Sequence, residues 1–353
     1  MAMSISGDVT GPVLVTGATG YVAGWIVKEL LDAGRTVHAA VRDPQDSRRV
    51  GHLLDMATNS AGQLKLFQAD LLDPGAYAEA MAGCEIVIHT ASPFINSVAD
   101  PQRELVDPAL LGTRNVLEQA TLTPEVQRVV LTSSCAAIYT DAIECREAPN
   151  GRLNESIWNT TASLEYQPYC WSKVLAEREA WKVADRQSRW QLVVINPSLV
   201  IGPSLNANPT SESFSIVRQL VGRTARFGVP RFALGVVDVR DAALAHISAA
   251  MLPDVQGRYI VSGHDTDLYE LSRTLRERFG ESFTLPSFAL PRWIVLLVGP
   301  MMANVSRRYL SRNVGHPWHA DNSRGKRELG IHYRPLQESM EDMFIQLIER
   351  GEV

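Results

Sequence analysis

The sequence predicts an α/β protein built on a doubly wound parallel sheet, with a smaller, interleaved C-terminal domain. Short apolar runs rich in β-branched residues alternate with longer amphipathic stretches through the first two hundred residues. This alternation is typical of repeated βαβ units. The apolar runs contain few interleaved polar residues, as expected for strands covered by helices on both faces. We therefore expect a sheet of six or seven parallel strands.

The expected elements follow one another in a regular order along the chain. The strands are predicted in the segments PVLVTG, TVHAAV, QLKLF, CEIVIHTA, RVVLTSS and QLVVINP. The helices between them are predicted over residues 21–33, 45–58, 103–120 and 171–185. Each helix is long enough to cross over between two parallel strands.

Composition and charge exclude several classes of protein. The chain is 45% apolar and 21% charged, which are values of globular proteins and not of disordered or fibrous ones. Its net charge of −5 disfavours nucleic-acid binding. Its four cysteines form no C-x-x-C pair, so we expect no metal site and a reduced, cytoplasmic setting. The first eleven residues lack the features of a signal peptide.

A glycine-rich turn, TGATGYVAG, joins the first strand to the first helix. Gly17 permits the tight turn, and Gly20 lets backbone N–H groups approach a pyrophosphate. The helix beginning near Tyr21 directs its positive end to the same place. Ala23 or Gly24 supplies the small residue for close packing of helix on strand. With a strand before it and a βαβ unit around it, this turn predicts a dinucleotide-binding Rossmann site.

The ends of the second and third strands indicate which dinucleotide is bound. Arg42 follows the second strand, where a guanidinium pairs with the 2′-phosphate of NADP and an acid would bind the 2′-hydroxyl of NAD. NADP (NADPH) is therefore the expected cofactor, with NAD as the alternative. Arg48 and Arg49 either assist Arg42 or belong to a solvated helix face. Asp70 and Leu71 end the third strand, where we expect the adenine to be held.

Three polar side chains predict a catalytic group. Tyr169 and Lys173 are four residues apart at the start of a predicted helix, so they share one face. A nearby ammonium and the helix N-terminus are expected to lower the pKa of the phenol. Ser134 ends the strand RVVLTSS at the carboxyl edge, where doubly wound sheets bind ligands. Together they predict a donor to a carbonyl oxygen, a proton donor and its activator.

These motifs resemble, in order and spacing, the extended short-chain dehydrogenase/reductases, and within them the dihydroflavonol 4-reductase-like branch that includes fungal ketoreductases. The resemblance covers almost the whole chain, and its motifs are TGATGYVAGWIV, VRDP, HTASPF, VVLTSSCAAI, LNESIWN, PYCWSKVLAEREAW, INPSLVIGP and VDVRDAALAH. It implies catalytic roles for Ser134, Tyr169 and Lys173. It implies NADP contacts from Gly17, Ala18, Thr19, Gly20, Tyr21, Val22, Arg42, Asp70, Leu71, Thr90, Ala91, Ser92, Tyr169, Lys173, Pro197, Ser198, Val200 and Ser213. The chain departs from the family pattern at two positions. Ala23 stands where the family has glycine, and Asp46 stands near the place where the family has a basic residue.

The domain boundaries are expected to be interleaved. Residues 11–202 form the predicted NADP-binding domain. After Pro197 the regular alternation weakens and prolines and glycines become frequent, which indicates a second unit. The segment 236–262 again has a strand, helix and strand pattern, and we expect it to return to the first sheet. The predicted substrate-binding domain then comprises residues 203–235 and 263–353.

The expected function is that of an NADP-dependent alcohol dehydrogenase or carbonyl reductase. Hydride would pass between the nicotinamide and a ketone, aldehyde or alcohol of a hydrophobic small molecule, with Tyr169 as proton donor. The alternatives are a 3β-hydroxysteroid dehydrogenase, a nucleotide-sugar epimerase or dehydratase, and a non-catalytic NADP-binding regulator. The resemblance also allows a homodimer, because dimers are common among such relatives.

The apolar segment LPRWIVLLVGPMMANV keeps three interpretations open. Its most apolar window, residues 293–303, is 11 residues long, too short for the ~20 that a membrane-spanning helix needs. It fits the lining of an apolar pocket, a contact with a membrane surface, or the core of the smaller domain. Arg307, Arg308 and Arg312 follow it.

Overall fold

A computed structural model describes residues 10–92, 98–207, 209, 211–222, 225–302 and 305–353. The chain forms a seven-stranded parallel sheet with a hydrophobic core on each face, which confirms the predicted fold class. Three predicted features lie partly outside the described residues. They are the N-terminal tail up to residue 9, the Pro-Phe of the motif HTASPF, and the last residue of the apolar window at 303.

The elements have the following bounds. The first half contains β1 (Val13–Thr16), α1 (Tyr21–Asp32), β2 (Thr36–Val41), α2 (Ser47–Thr58), β3 (Gln63–Gln68), α3 (Ala78–Met81), β4 (Ile86–His89), α4 (Asp107–Leu122), β5 (Arg128–Thr132), α5 (Pro168–Ala184) and β6 (Gln191–Pro197). The second half contains β7 (Leu199–Ile201), α6 (Glu212–Gln219), β8 (Val229–Pro230), β9 (Ala233–Asp238), α7 (Val239–Met251), β10 (Gly257–Val261), β11 (His264–Asp267), α8 (Leu268–Phe279), β12 (Ala289–Leu290), α9 (Arg292–Met302), α10 (Arg307–Asn313), α11 (Ser323–Glu328) and α12 (Leu336–Glu349).

The strand order of the main sheet is β10-β6-β5-β4-β1-β2-β3. The chain moves outward from β1 to β2 and β3, then returns to place β4 on the other side of β1. The crossovers leave this point in opposite directions, which opens a crevice at the carboxyl ends of β1 and β4. Ligands of such sheets bind in this crevice, so the carboxyl edge here is the first place to look for a site.

Strand burial follows position in the sheet. All four residues of β1 and of β4 are buried, because both strands lie in the centre and are covered on both faces. The outer strand β3 is only half-buried, since it has a neighbour on one side. At the opposite edge β10 pairs with β6, with Gly257 opposite Val193, so the segment around α7 and β10 joins the main sheet. Its helix α7 packs beside α1 on the same face.

A smaller lobe starts where β6 and β10 end. It contains a three-stranded sheet, β11-β9-β7, and the short pair β12-β8. Its core is formed by aromatic and aliphatic side chains of α6, α8 and α12, with the rings of Phe279 and Phe283 at 4.8 and 5.2 Å from that of Phe344. Because β7 follows β6 after a single residue, the lobe begins at the carboxyl edge of the main sheet.

Two buried histidines make stability depend on pH. Burial lowers the pKa of His89 to about 3, with a contribution from the charge of Lys173. Burial likewise lowers the pKa of His246 to about 4. The two ring nitrogens of His246 lie 2.7 Å from the Thr132 hydroxyl and 2.7 Å from the Ala242 carbonyl oxygen. Both histidines are therefore neutral in the folded protein at neutral pH.

We expect the free energy of unfolding to fall as the pH decreases below about 6.5, the pKa of histidine in an unfolded chain. Between that value and the lowered pKa values, the unfolded chain binds more protons than the folded one, so stability rises with pH across this window. Each histidine contributes a slope of up to about 1.4 kcal/mol per pH unit. Urea unfolding should show that the free energy of unfolding of His246→Gln depends less steeply on pH across this window than that of the wild type. The difference in slope should correspond to nearly one proton, about 1.4 kcal/mol per pH unit. An unchanged slope would contradict the assignment.

Candidate active site

The glycine turn is held close to the end of β4. Gly17 has φ +63°, and a Cβ atom there would lie 2.9 Å from the Cα of Ala91, so a side chain is excluded both by conformation and by space. The Gly20 N–H donates to the Gly17 carbonyl at 2.8 Å and closes the turn. Gly20 precedes α1, and no side chain caps this helix. The first N–H groups of α1 are thus suited to bind an anion.

The remaining residues of the turn have distinct environments. Ala18 is buried, and its N–H donates to the Ala40 carbonyl at 3.3 Å. Thr19 is half-buried, and its carbonyl accepts a hydrogen bond from the Asn206 side chain at 3.2 Å. Val22 packs against the core beneath the sheet face. The turn therefore rests on the core at one side and on the smaller lobe at the other.

The start of the smaller lobe contacts the residues that follow the glycine turn, and the sequence did not predict these contacts. The Tyr21 hydroxyl donates to the Gly202 carbonyl at 2.6 Å, and the Trp25 indole donates to the Pro203 carbonyl at 2.8 Å. The Tyr21 ring also packs edge-on against Phe214 at 5.3 Å. Ser213, beside Phe214, is fully buried, and its hydroxyl lies 2.8 Å from that of Ser211. The Ser213 hydroxyl is thus already engaged within its own helix terminus.

Arg42 and Asp70 lie at the ends of the adjacent strands β2 and β3. The Ala69 N–H donates to the Val41 carbonyl at 2.9 Å, which holds these two strand ends together. Burial raises the pKa of the nearby Tyr77 phenol, the charge of Asp70 raises it further, and the charge of Arg42 opposes this. Arg42 is exposed to solvent, so its guanidinium is accessible to a ligand.

The side chains around this pair are engaged elsewhere. Arg48 and Arg49 place their Nε atoms 3.3 and 3.5 Å from the carboxylate of Asp46, which also caps α2. These contacts favour the interpretation in which both arginines belong to a solvated helix face and do not assist Arg42. The Leu71 side chain packs into the hydrophobic core on the face of the sheet opposite α1. The Leu71 carbonyl accepts a hydrogen bond from the Asn115 side chain at 3.1 Å. Leu71 thus presents backbone at this strand end.

Ser134, Tyr169 and Lys173 come together at the carboxyl edge. Pro168 occupies the first turn of α5, which begins after Gln167 in a left-handed conformation with φ 58°. The Tyr169 phenol lies close enough to the Ser134 hydroxyl for that hydroxyl to lower the phenol pKa. The Lys173 ammonium lies 5.7 Å from the centroid of the Tyr169 ring. Over the whole residue Tyr169 is 39% exposed, although the surroundings of its hydroxyl are closely packed.

The electrostatics of this group differ from the expectation. Burial raises the pKa of Tyr169 above its usual value, Cys170 adds to this, and the Ser134 hydrogen bond opposes it. Burial lowers the pKa of Lys173 to about 8, opposed by the negative charge of Glu177. Loss of solvent around the phenol, and not the charge of the ammonium, decides the direction of the phenol pKa shift. Tyr169 is thus protonated at neutral pH, which is the form that can donate a proton.

The residues that follow β4 connect the glycine turn to Lys173. The Thr90 hydroxyl donates to the Thr16 carbonyl at 2.5 Å, and the Ala91 N–H donates to the Thr16 hydroxyl at 3.2 Å. Ser92 accepts a hydrogen bond from the Lys173 ammonium at 3.0 Å. This segment therefore connects the glycine turn to Lys173.

The end of β6 forms the opposite wall of the crevice at the carboxyl edge of the sheet. Pro197 is paired with Val261 in the sheet, and the Ser198 N–H donates to the Val261 carbonyl at 3.0 Å. The Ser198 hydroxyl is buried and has no hydrogen-bond partner among the described residues. Val200, in β7, packs against the core beside α1. A buried hydroxyl without a partner at this edge is suited to meet a polar group of a ligand.

A buried carboxylate below Lys173 was missed by the sequence reasoning. Glu177 has a fully buried side chain and accepts hydrogen bonds from Ser133 at 2.5 Å, Asn196 at 2.8 Å and Arg258 at 2.5 Å. It lies one helical turn beyond Lys173. The spacing Tyr-x-x-x-Lys-x-x-x-Glu was a signal that could have identified it, because it places all three residues on one face of α5.

This carboxylate network contacts the residues next to Lys173 and Ser134. Asn196, which binds Glu177, also donates to the Ser134 carbonyl at 3.1 Å and so positions the serine backbone. A cavity of about 10 Å³ lies between Lys173, Ser133 and Glu177, which is room for roughly one water molecule. Lys173 and the buried carboxylate network therefore line the same small cavity.

A second buried carboxylate connects the segment before α5 to the smaller lobe. Asp141 accepts hydrogen bonds from Tyr166 at 2.9 Å, Arg312 at 2.5 Å and Asn313 at 2.7 Å. These contacts tie the segment before α5 to α10 of the smaller lobe. The surroundings of Cys170 are thus built from parts of the chain that are far apart in sequence.

Neither a metal site nor a spanning helix is found in the described part of the chain. No group of three or more potential ligands among His, Cys, Asp and Glu is close enough there to bind a metal ion. All four cysteines are free. No described helix combines the length and apolar character needed to span a membrane.

Comparisons with known proteins find relatives over almost the entire chain. The NAD dependent epimerase/dehydratase family matches residues 13–259. Cinnamoyl-CoA reductase CAD2 of Medicago truncatula is 35% identical over 348 residues, covering 98% of this chain and 98% of the relative. Tetraketide alpha-pyrone reductase 1 of Arabidopsis thaliana is 34% identical and covers 97% and 96%. A bifunctional dihydroflavonol 4-reductase/flavanone 4-reductase of Pyrus communis is 33% identical and covers 80% of each chain.

Solved structures of reductases have the same fold. The yeast methylglyoxal/isovaleraldehyde reductase Gre2, complexed with NADPH, aligns with a TM-score of 0.76 at 25% identity, covering 97% of this chain and all of that one. Gre2 of Candida albicans in complex with NADPH aligns with a TM-score of 0.77 at 26% identity, covering 96% and 99%. The main sheet and the smaller lobe are therefore both shared with these reductases.

Proposed function

Because the chain belongs to the NAD dependent epimerase/dehydratase family and its full-length relatives are reductases, we propose that it is an NADP-dependent carbonyl reductase. It reduces a ketone or aldehyde of a hydrophobic small molecule, or oxidises the matching alcohol. The observation that carries this proposal is the grouping of Ser134, Tyr169 and Lys173 at the carboxyl edge, joined through Ser92 to the segment beside the glycine turn.

The residues at the crevice fit a dinucleotide phosphate. The uncapped start of α1 and the turn at Gly17 would hold the pyrophosphate. Arg42 would hold the 2′-phosphate, and Asp70 the adenine end. The remaining contacts would come from Thr90, Ala91, Ser92 and Lys173 at the ribose and from Pro197, Ser198 and Val200 at the nicotinamide end. Ser213 is the weakest candidate, because its hydroxyl is bonded to Ser211.

The chain's own residues perform the proton chemistry. When bound, NADPH supplies the hydride. The Ser134 hydroxyl donates a hydrogen bond to the carbonyl oxygen of the substrate and stabilises the charge that develops on it. Tyr169, protonated at neutral pH, delivers the proton to that oxygen. Lys173 binds the ribose hydroxyls and provides a positive charge beside the phenol, while Glu177 keeps the ammonium protonated.

The two lobes divide these tasks. Residues 11–202, with 236–262, form the NADP-binding domain in this proposal, and residues 203–235 and 263–353 form the substrate-binding domain. Relatives named for the reduction of cinnamoyl-CoA, a tetraketide pyrone and dihydroflavonol support a hydrophobic carbonyl substrate. The segments that shape the pocket around Tyr166 and α10 decide which carbonyl is accepted.

The proposal is tested by following NADPH consumption over a panel of aryl ketones, aldehydes, dihydroflavonols and steroid ketones, with NADH in parallel. Consumption of NADPH with at least one class of carbonyl, and formation of the alcohol, is expected. Conversion of a nucleotide sugar without net NADPH consumption would instead identify an epimerase or dehydratase. NADPH binding without turnover of any panel member would favour the regulator.

Arg42→Ala should discriminate between the two cofactors. Loss of a charge-assisted hydrogen-bonded pair worth about 1.5–3 kcal/mol should weaken NADPH binding by roughly 10- to 100-fold, while NADH binding stays nearly constant. The matched control is Arg48→Ala, whose side chain is 89% exposed and paired with Asp46. Fluorescence titration gives both dissociation constants. Equal losses for the two cofactors would argue against contact of Arg42 with the 2′-phosphate.

A further inference from the structure

Helix α9 presents an apolar face to solvent. Trp293, Leu297 and Met301 are spaced by four residues, so they form one stripe along the helix, and they are 67%, 64% and 88% exposed. The other face is packed against α10. Val295 is buried in a cluster with Leu310, and these two helices are in close contact. The exposed stripe is therefore not needed to hold α9 in place.

Two further aromatic side chains lie next to the start of α9. Strands β8 and β12 pair directly before this helix. Phe288 is 47% exposed, and its ring lies 2.8 Å from where a Cβ atom of Gly228 would be. Phe227, the neighbour of Gly228, is 61% exposed. Large apolar side chains concentrated on one face of a soluble fold indicate an interaction surface.

The charge of this region is opposite to that of the whole chain. Residues 213–237 and 282–320 each contain four arginines and no aspartate, glutamate or lysine, although the chain has a net charge of −5. The two segments meet where β8 pairs with β12. All the excess negative charge therefore lies elsewhere on the protein.

Four of these arginines have no acidic partner among the described residues, although Arg292 donates to the Ser311 carbonyl at 2.8 Å and Arg308 stacks on the Tyr166 ring. Arg226, Arg292, Arg307 and Arg308 are exposed, and none of them belongs to a salt bridge within the described ranges. By contrast, Arg218, Arg231 and Arg312 pair with acidic residues from other parts of the chain. We call the four exposed arginines, with Phe227, Phe288, Trp293, Leu297 and Met301, the basic apolar surface.

We propose that the basic apolar surface binds the surface of an anionic phospholipid membrane. An amphipathic helix with Trp and Leu on one face and arginines beside it inserts its apolar side among the lipid headgroups. Arginines near the membrane are attracted to anionic lipids, and no carboxylate of the two segments opposes them. A protein partner or a second copy of the chain would also cover apolar side chains, but the absence of acidic residues from both segments favours an anionic, laterally uniform surface. This proposal does not depend on the catalytic assignment.

The experiment is co-sedimentation of the full chain with vesicles of phosphatidylcholine alone and of phosphatidylcholine with about one third phosphatidylserine. Binding should be at least about tenfold stronger to the anionic vesicles and should weaken as salt is added. Leu297→Asp and Arg307→Glu should each reduce that binding by about tenfold or more. The matched controls are Leu122→Asp, 74% exposed at the end of α4, and Arg186→Glu, exposed beyond α5. Both should bind as the wild type does.

Three results would overturn the proposal. One is absence of wild-type binding to the anionic vesicles. Another is an equal loss for Leu297→Asp and Leu122→Asp. The third is a dimer that Leu297→Asp dissociates while vesicle binding is absent, which would assign the surface to contact between copies. Thermal unfolding of every variant shows whether a loss of binding comes from a loss of folding.

Discussion

Tyr169→Phe should lower kcat by about 10²–10⁴-fold while leaving the affinity for NADPH nearly constant. The factor is the usual contribution of a positioned general acid, and the phenylalanine ring keeps the shape of the site. The Tyr169 hydroxyl lies beside Ser134, so its removal takes away the proposed proton donor and leaves the serine in place. Single-turnover reduction of a carbonyl substrate and a separate NADPH titration measure the two quantities.

Two further variants sharpen this prediction. Ser134→Ala should also lower kcat, by roughly 10²–10³-fold, because it removes a hydrogen bond that strengthens as charge develops on the carbonyl oxygen. Tyr259→Phe is the matched control, since it removes the hydroxyl of a tyrosine on β10 that donates to Glu328 outside the proposed site, and it should retain most of the activity. Full turnover by Tyr169→Phe would show that another group delivers the proton.

Glu177→Leu should lower the free energy of unfolding by about 3–5 kcal/mol, the usual cost of leaving one partner of a buried ion pair unpaired. Arg258 would keep its buried charge without the carboxylate that lies 2.5 Å away. Adding Arg258→Met should recover part of this loss, because two apolar side chains then replace the pair. Urea unfolding of both variants measures the difference. Near-wild-type stability of Glu177→Leu alone would contradict the importance of the pair.

A functional readout separates positioning from stability. Glu177 raises the pKa of Lys173, which burial has lowered to about 8, so Glu177→Gln should lower it further. Since the protonated ammonium binds the ribose in our proposal, NADPH affinity should begin to fall at a lower pH in the variant than in the wild type. A purely structural role would change stability and leave this pH profile in place.

Local signals in the sequence predicted most of the framework. The apolar strands and the crossover helices form where the patterns placed them, because burial on both faces requires continuous apolar runs. Gly17 was recognisable because a tight turn before a helix needs a residue that adopts positive φ. The four-residue spacing of Tyr169 and Lys173 placed them on one face of α5, since helical periodicity is a local property.

The sequence by itself determined the order of strands and helices, the glycine turn and the pair on α5, since each depends on neighbours within a few residues. Only the tertiary structure decided what surrounds them. Tyr21 reaches Gly202, Ser133 reaches Glu177, and Asp141 reaches Arg312 across long stretches of chain. Loss of solvent at Tyr169, and hence the direction of its pKa shift, follows from the same packing. Periodicity carries no information about such contacts, because they arise only when distant segments pack together and exclude water.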